Sequence, residues 1–107
     1  MKKILRLFLF SFFTFFISFN VAKAANVNYQ THVQNIGWQG WVANGNMAGT
    51  TGQSLRLEGI NIFLSNQEYS GDIVYQTHVQ NIGWQNWTAN GNMAGTTGQS
   101  LRLEAIK

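Results

Sequence analysis

The chain has 107 residues, contains no cysteine and no proline, and carries a formal net charge of +3. Four of its seven basic residues lie among the first 24 positions, and the remaining 83 residues carry three basic and four acidic side chains, a net charge of −1. Binding to nucleic acid and binding to an anionic membrane through a polybasic patch are therefore disfavoured, because both need clustered Lys and Arg. The lack of cysteine excludes disulfides and thiolate chemistry.

The first 24 residues have the pattern of an export signal. Lys2, Lys3 and Arg6 form a basic start, residues 7–19 are rich in Phe and Leu, and residues 22–24 read Ala-Lys-Ala, a small-x-small cleavage site. An uncleaved anchor is disfavoured because the apolar run is shorter than the ~20 residues that cross a bilayer. We therefore predict cleavage after Ala24 and a secreted protein, either extracellular or associated with the cell surface.

The rest of the chain is one unit written twice. Residues 29–60 read YQTHVQNIGWQGWVANGNMAGTTGQSLRLEGI, and residues 75–106 repeat them with three differences: Gly40 against Asn86, Val42 against Thr88, and Gly59 against Ala105. A repeat of this size indicates supersecondary units that bury their apolar faces against a neighbour. The predicted segments are a signal peptide at 1–24, a first repeat with its connector at 25–72, and a second repeat at 73–107.

Each repeat is predicted to contain two longer strands. Residues 27–33 and 73–79 alternate with a period of two, which places Tyr29 and Tyr75 on the core face. In residues 55–64 the apolar positions change frame near Glu58, which predicts a β-bulge or a bend there. Ala105 at the place of Gly59 argues against a bulge that needs positive φ, and leaves open one whose first residue is near the right-handed helical region.

The segments between the longer strands are predicted to be loops and one short element. Residues 44–52 and 90–98 are dense in Asn, Gly and Thr, which accept tight-turn geometry. Residues 37–42 fit a short third strand or a tight bend. Outside the signal no window has a sustained helical period, so we predict an all-β protein with two tandem repeats of about three or four short strands each.

These residues resemble the ChW repeat family, clostridial hydrophobic repeats with a characteristic Trp that occur in secreted proteins of Gram-positive bacteria. The resemblance rests on the combination HVQN-x-GWQ-x-W, an Ala-Gly-Thr turn and an Arg-x-Glu strand, and it covers nearly all of the chain after the signal. It implies an extracellular location and a role in surface attachment or extracellular assembly, including binding of polysaccharides or proteins.

Four-stranded units of this period build threefold β-prisms, β-trefoils or propeller blades. Two copies cannot close a threefold ring. We therefore expect a β-prism-like or trefoil-like arrangement that is incomplete, either an open two-unit sandwich or one completed by another chain. The second copy ends before residues that match 62–64, which favours completion by another chain.

The four Trp residues divide into two predicted roles. Trp38 and Trp84, each preceded by Ile and Gly, are predicted to supply core area, whereas Trp41 and Trp87 are predicted ligand contacts, with burial as the open alternative. An exposed indole stacks well on the apolar face of a sugar ring. A spacing of three residues on a strand would direct the two indoles of each repeat to opposite faces, whereas a helical turn would place them on one.

Polar side chains near these aromatics complete the candidate ligand site. Amides donate to and accept from sugar hydroxyls, although Asn also serves turns, and the two interpretations have equal weight. His32 and His78 are single in their repeats, which disfavours a metal site or general acid–base catalysis and favours a His that bonds backbone or lines a polar groove. The predicted amides are Gln39, Gln85, Asn44 and Asn90.

Arg56 and Glu58, with Arg102 and Glu104, are predicted to form a charge ladder that pairs between neighbouring units and fixes their register. Units of about 40 residues leave no room for a deep catalytic pocket, so we predict no enzyme activity, no metal and no cofactor. The preferred function is a secreted module that binds cell-surface or extracellular polysaccharide. The alternative is a protein-interaction module that associates with itself or with other ChW repeats through a free sheet edge.

Overall fold

The computed structural model describes residues 23–107, so the predicted export signal lies outside the described residues except for its last two positions. Residues 23–107 contain strands and turns and no helix, which confirms the all-β prediction, and they include no helix long and apolar enough to cross a membrane. The ten strands are β1 Asn26–Val33, β2 Gly37–Trp38, β3 Val42–Ala43, β4 Leu57–Ser65, β5 Val74–Tyr75, β6 Thr77–Val79, β7 Gly83–Trp84, β8 Thr88–Ala89, β9 Ala94–Gly95 and β10 Leu103–Ile106.

The two long strands of the first repeat form its central ladder. β1 pairs antiparallel with β4 from Asn26–Ser65 to Val33–Leu57, and β2 and β3 pair with the other side of β1. In the second repeat the same sequence forms β5 and β6, which pair with β8, β7 and β10. All pairs are antiparallel, and the strands of residues 23–107 form open sheets with no closed barrel.

One face of the β1–β4 ladder supplies the core, as the period-two pattern predicts. Thr31 and Val33 of β1 are 2% and 0% exposed, and their partners on β4 continue the same face. A buried cluster joins Ile62 of β4 to Tyr75 and Ala94 of the second repeat, with Tyr29 packed against it. The core therefore extends across the junction, and each repeat completes the burial of the other.

The bulge predicted near Glu58 is present. His32 pairs with Gly59 and Val33 pairs with Leu57, so Glu58 is the extra residue, and the second repeat shows the same shift around Glu104. The position of Gly59 needs no positive φ, which explains why Ala105 occupies it in the second repeat.

The loops that the sequence predicts contain well-defined turns. Asn44 and Gly45 have φ of 53° and 87°, and the Asn46 amide donates to the Ala43 carbonyl at 3.2 Å. Two successive positive φ values in an Asn-Gly pair are the geometry of a type I′ turn. Asn90 and Gly91 repeat it. The predicted short third strand at residues 37–42 is divided into two two-residue strands, β2 and β3, whose register with β1 differs by one residue.

The repeats are joined by pairing between β4 and β9. Gly59 lies opposite Gly95 and Ile60 lies opposite Ala94, and the Thr96 amide donates to the Glu58 carbonyl at 2.9 Å. The Tyr75 hydroxyl accepts from the Ile62 amide at 3.1 Å and donates to the Asn92 carbonyl. Gly95 is necessary here: its φ is +100°, and a Cβ would come within 2.4 Å of the Glu58 carbonyl oxygen.

Candidate binding surface

The face of the β1–β4 ladder opposite the core carries aromatic and amide side chains. Directly paired residues of antiparallel strands project to the same face, and each strand alternates with a period of two. This outer face therefore contains four cross-strand pairs: Asn26 with Ser65, Asn28 with Phe63, Gln30 with Asn61, and His32 with Gly59.

Trp38 covers one end of the outer face. Its ring contacts the His32 ring edge-on, with centroids 5.3 Å apart, and a Cβ on Gly59 would lie 3.4 Å from the indole. The prediction that Trp38 and Trp84 are core residues is wrong, because their exposed fractions are 38% and 45%. They belong to two-residue strands, β2 and β7, and lie on the outer face, whereas the core forms on the opposite one.

Trp41 covers the other end of the outer face. Its ring meets Phe63 edge-on, with centroids 4.9 Å apart, and 47% of the residue is exposed. Because Phe63 and Gly59 share a face of β4, Trp38 and Trp41 lie on the same side of the sheet. The expectation of opposite faces is therefore wrong. It assumed a regular strand, whereas the register with β1 shifts by one residue between β2 and β3: Trp38 lies opposite His32 and Val42 lies opposite Tyr29.

The second repeat presents a related surface in which Lys107 is the main change. Trp84 contacts His78 with centroids 5.3 Å apart, as in the first repeat, but the Lys107 ammonium lies 4.4 Å above the Trp84 ring. Lys107 occupies the position that matches Asn61. Trp87 is 57% exposed. We call His32, Trp38, Trp41 and Phe63 the first aromatic face, and His78, Trp84 and Trp87 the second.

Each His is held by an acidic residue of its own repeat. His32 Nδ1 lies 3.0 Å from Glu58 Oε1, and Arg56 Nε donates to Glu58 Oε2 at 2.9 Å. His78, Glu104 and Arg102 repeat the arrangement. The carboxylate can only accept, so Nδ1 carries the proton and Nε2 of a neutral ring remains an acceptor.

This arrangement corrects two expectations. The Arg–Glu pairs form within each repeat and do not pair between units, because the bulge turns Glu58 towards His32. The His residues bond a carboxylate rather than backbone. Within residues 23–107 no group of three or more His, Asp or Glu side chains is placed to hold a metal ion.

The predicted ligand amides Gln39 and Gln85 have structural partners. Gln39 Oε1 accepts from the Gly49 amide at 2.8 Å, and Gln85 Oε1 accepts from the Gly95 amide at 2.7 Å. Thr31 and Thr77 donate to the same oxygens. Each Gln side chain therefore connects the Ala-Gly-Thr segment of its repeat to β1 in the first repeat and to β6 in the second. Its Oε1 already accepts two hydrogen bonds from the protein.

Asn44 and Asn90 are also used by the fold. Asn44 Oδ1 accepts from the Val27 amide and Nδ2 donates to Asn26, both at 3.0 Å. Asn90 bonds the Ile73 amide and Asp72 in the same way. These contacts connect the I′ turns to the first strands, as the turn interpretation of Asn requires.

Sequence reasoning missed the amides at the centre of the first aromatic face. Asn61 Nδ2 donates to Gln30 Oε1 at 2.9 Å, and Gln30 Nε2 donates to the Gln39 carbonyl at 3.0 Å. Asn61 Oδ1 is buried and has no partner among the described residues. The signal was present, because Gln30 lies on the polar side of the alternating pattern between Asn28 and His32.

The sequence model of a family described as Clostridial hydrophobic W, ChW, matches residues 32–66 and 78–107. The two matched regions include most of both repeats and more than half of the chain. They also contain all four Trp residues, both His–Glu–Arg groups and the bulges at Glu58 and Glu104. No curated protein and no solved structure matches the chain significantly. The chain is therefore a member of the ChW family, with two ChW repeats in tandem.

Proposed function

We propose that the protein is a secreted, non-catalytic binding module that attaches to cell-surface or extracellular polysaccharide through its aromatic faces. The observation that carries the proposal is the placement of Trp38 and Trp41 on the same side of one sheet, each more than one third exposed. Two indoles at the ends of a short sheet form a platform on which the apolar faces of sugar rings stack.

The contact partners of the indoles support this interpretation. His32 and Phe63 hold the two rings edge-on, so the indole orientations are fixed before a ligand arrives. A fixed orientation lowers the entropy lost on binding. Polar contacts would come from the centre of the face, where Gln30 retains one N–H and His32 retains Nε2, and not from Gln39 or Asn44, which the fold occupies.

Repetition strengthens such a surface. Two weak sites on one chain raise the overall affinity through effective concentration when both engage the same polymer. The second aromatic face differs because Lys107 lies over Trp84, a cation–π contact that a sugar would have to displace. We therefore assign the larger share of the affinity to the first aromatic face.

The test is retention on purified cell walls and on a panel of glycans. Trp41→Ala combined with Trp87→Ala should lower retention about tenfold or more, because each lost stacking contact is worth about 1 kcal/mol. Trp38→Ala alone should reduce binding more than Trp84→Ala alone. Tyr69→Ala is the matched control, since Tyr69 is an exposed aromatic residue of the connector, outside both faces.

The outcomes separate the possibilities. Unchanged retention of the Trp41→Ala, Trp87→Ala double variant would remove the proposed contact. An equal loss in the Tyr69→Ala control would indicate non-specific adsorption of exposed aromatics. Circular dichroism and thermal unfolding of each variant establish that a loss of binding does not reflect a loss of fold.

A further inference from the structure

The junction between the repeats consists of two complementary surfaces. One is the side of β4 that faces away from β1, at residues 58–60. The other is the Ala-Gly-Thr segment at residues 94–96, which pairs with it. Ala94 and Thr96 are 4% and 6% exposed in this junction, and Glu58 is 5% exposed. Both surfaces are therefore well covered where they meet.

Each surface occurs a second time without a paired strand among residues 23–107, although the Leu57 side chain lies against Gly49 and has to move before a strand can pair there. β10 pairs with β6 on one side only, and residues 104–106 are exposed, with Ile106 at 46%. At the other end of the chain, residues 48–50 repeat the Ala-Gly-Thr sequence but form no strand and are only half-buried. In the second copy the first two of these residues, Ala94 and Gly95, form β9 beside β4, so the partner strand decides their conformation.

The backbone groups on the two open surfaces are placed for pairing. The Lys107 amide donates to the Gln76 carbonyl at 3.0 Å, and the Gln76 amide donates to the Lys107 carbonyl at 2.9 Å. Because Lys107 and Gln76 form a hydrogen-bonded pair, the neighbouring Ile106 N–H points away from β6. The Thr50 amide, which matches the donor Thr96, makes no hydrogen bond within the described part of the chain. It corresponds to a donor that would meet the Glu104 carbonyl of a second chain.

The one sequence difference at this position is compatible with pairing. Ala105 replaces Gly59, and a Cβ on Gly59 would lie 3.4 Å from the Ala94 carbonyl oxygen and 3.4 Å from the Trp38 ring. Those distances are ordinary van der Waals contacts. An Ala at this place therefore fits against the Ala-Gly-Thr segment.

We propose that the protein assembles head to tail, with residues 104–106 of one copy pairing with residues 48–50 of the next, in the geometry of its internal β4–β9 junction. The two surfaces differ from each other, so the contact is heterologous and generates a ring or an open filament rather than a twofold dimer. The partner is a second copy of this chain, because each chain carries both complementary surfaces, residues 104–106 and residues 48–50.

The expected affinity is modest. The contact reproduces the pairing of residues 58–60 with 94–96, but not the bond between Ile62 and the Tyr75 hydroxyl. A small interface of this kind should associate with a Kd between about 10 µM and 1 mM. Assembly would place many aromatic faces on one particle, yet it does not depend on polysaccharide binding.

The first experiment is sedimentation of the protein produced from the full 107-residue sequence in an exporting host, from about 5 µM to 1 mM. The weight-average mass should rise with concentration to at least twice that of one chain. Hydrogen exchange at the Thr50 and Ile106 amides should slow as the mass rises. A single-chain mass at every concentration, or unchanged exchange at both amides, overturns the proposal without any variant.

The second experiment blocks one surface at a time. Ile106→Pro removes the outward N–H of β10, and Thr50→Pro removes the donor of the Ala-Gly-Thr segment, and proline is tolerated at strand edges. Each variant alone should remain a single chain, whereas an equimolar mixture should form a dimer and nothing larger, since each retains one complementary surface. A mixture of folded variants that stays monomeric contradicts head-to-tail pairing.

The Trp41→Ala, Trp87→Ala variant separates this proposal from polysaccharide binding. It should assemble like the unchanged protein while losing retention on cell walls. Loss of assembly in this variant would place the Trp residues in the contact between copies and overturn the geometry given above.

Discussion

Gly95 provides the sharpest test of how the two repeats are joined. A Cβ at this position would lie 2.4 Å from the Glu58 carbonyl oxygen and 2.8 Å from Gly59 Cα, and both are backbone atoms that a rotamer change cannot move. Gly95→Ala should therefore separate β9 from β4. The core cluster of Ile62, Tyr75 and Ala94 spans this contact, so the change should loosen the core as well.

The magnitude follows from two contributions. An Ala at φ of +100° costs about 1–2 kcal/mol in backbone strain. The overlap with β4 adds about 1–3 kcal/mol, as for overpacked cores. We expect Gly95→Ala to lower the free energy of unfolding by about 2–5 kcal/mol, enough to unfold much of a domain of this size at moderate temperature.

Two matched variants isolate the overlap. Gly98 has φ of +70° and nothing within 4 Å, so Gly98→Ala should show the strain alone. Gly49 matches Gly95 in the first repeat, and a Cβ there meets a Leu57 methyl at 3.0 Å, which can move. Thermal and urea unfolding measure all three changes, and the loss should be largest for Gly95→Ala. Equal losses for Gly95→Ala and Gly98→Ala would refute the tight β4–β9 pairing.

The remaining predictions concern single contacts and the predicted export signal. Tyr75→Phe should cost about 1–3 kcal/mol because it leaves the buried Ile62 amide without an acceptor. Tyr29→Phe should cost less, since Tyr29 bonds only the exposed Asn46 carbonyl; equal losses in chemical unfolding would contradict the bridging role of Tyr75. Glu58→Gln should lower the free energy of unfolding by about 1–3 kcal/mol and Glu104→Gln by less than about 1 kcal/mol, because the Glu58 side chain is 6% exposed and that of Glu104 is 30% exposed. Urea unfolding of both variants measures this order. A larger loss for Glu104→Gln would show that burial does not set the strength of the His–Glu–Arg contact. Intact mass of the protein recovered from an exporting host should correspond to cleavage after Ala24, whereas a full-length mass in the medium would refute the signal assignment.

The aromatic surface shows where sequence reasoning failed. The spacing of Trp38 and Trp41 predicted opposite faces under the assumption of one regular strand, but β2 and β3 have two residues each and their register with β1 differs by one residue. Trp38 was assigned to the core because it is large and apolar. Its place on the outer face depends on the pairing of β2 with β1, which brings it against His32, and on the pairing of β1 with β4, which brings it against Gly59.

The amides show a second limit. Gln39 and Asn44 stand beside Trp in the sequence and were assigned to the ligand site, yet both side chains bond backbone groups 10 and 17 residues away. Gln30 and Asn61, which lie on the outer face, are 31 residues apart and meet only because β1 and β4 pair. Neighbours in sequence are not neighbours on a sheet, so amide roles could not be read from the pattern.

The sequence by itself determined the all-β class, the tandem repeat, the bulge at Glu58 and the Asn-Gly turns, because each depends on local periodicity or on the φ preferences of single residues. Only the tertiary structure decided which face carries the Trp residues, and why Ala94 and Gly95 of the second Ala-Gly-Thr segment form a strand whereas residues 48–50 form none. Those outcomes depend on strand pairing between distant residues, and identical sequences differ in conformation when only one of them has a partner strand.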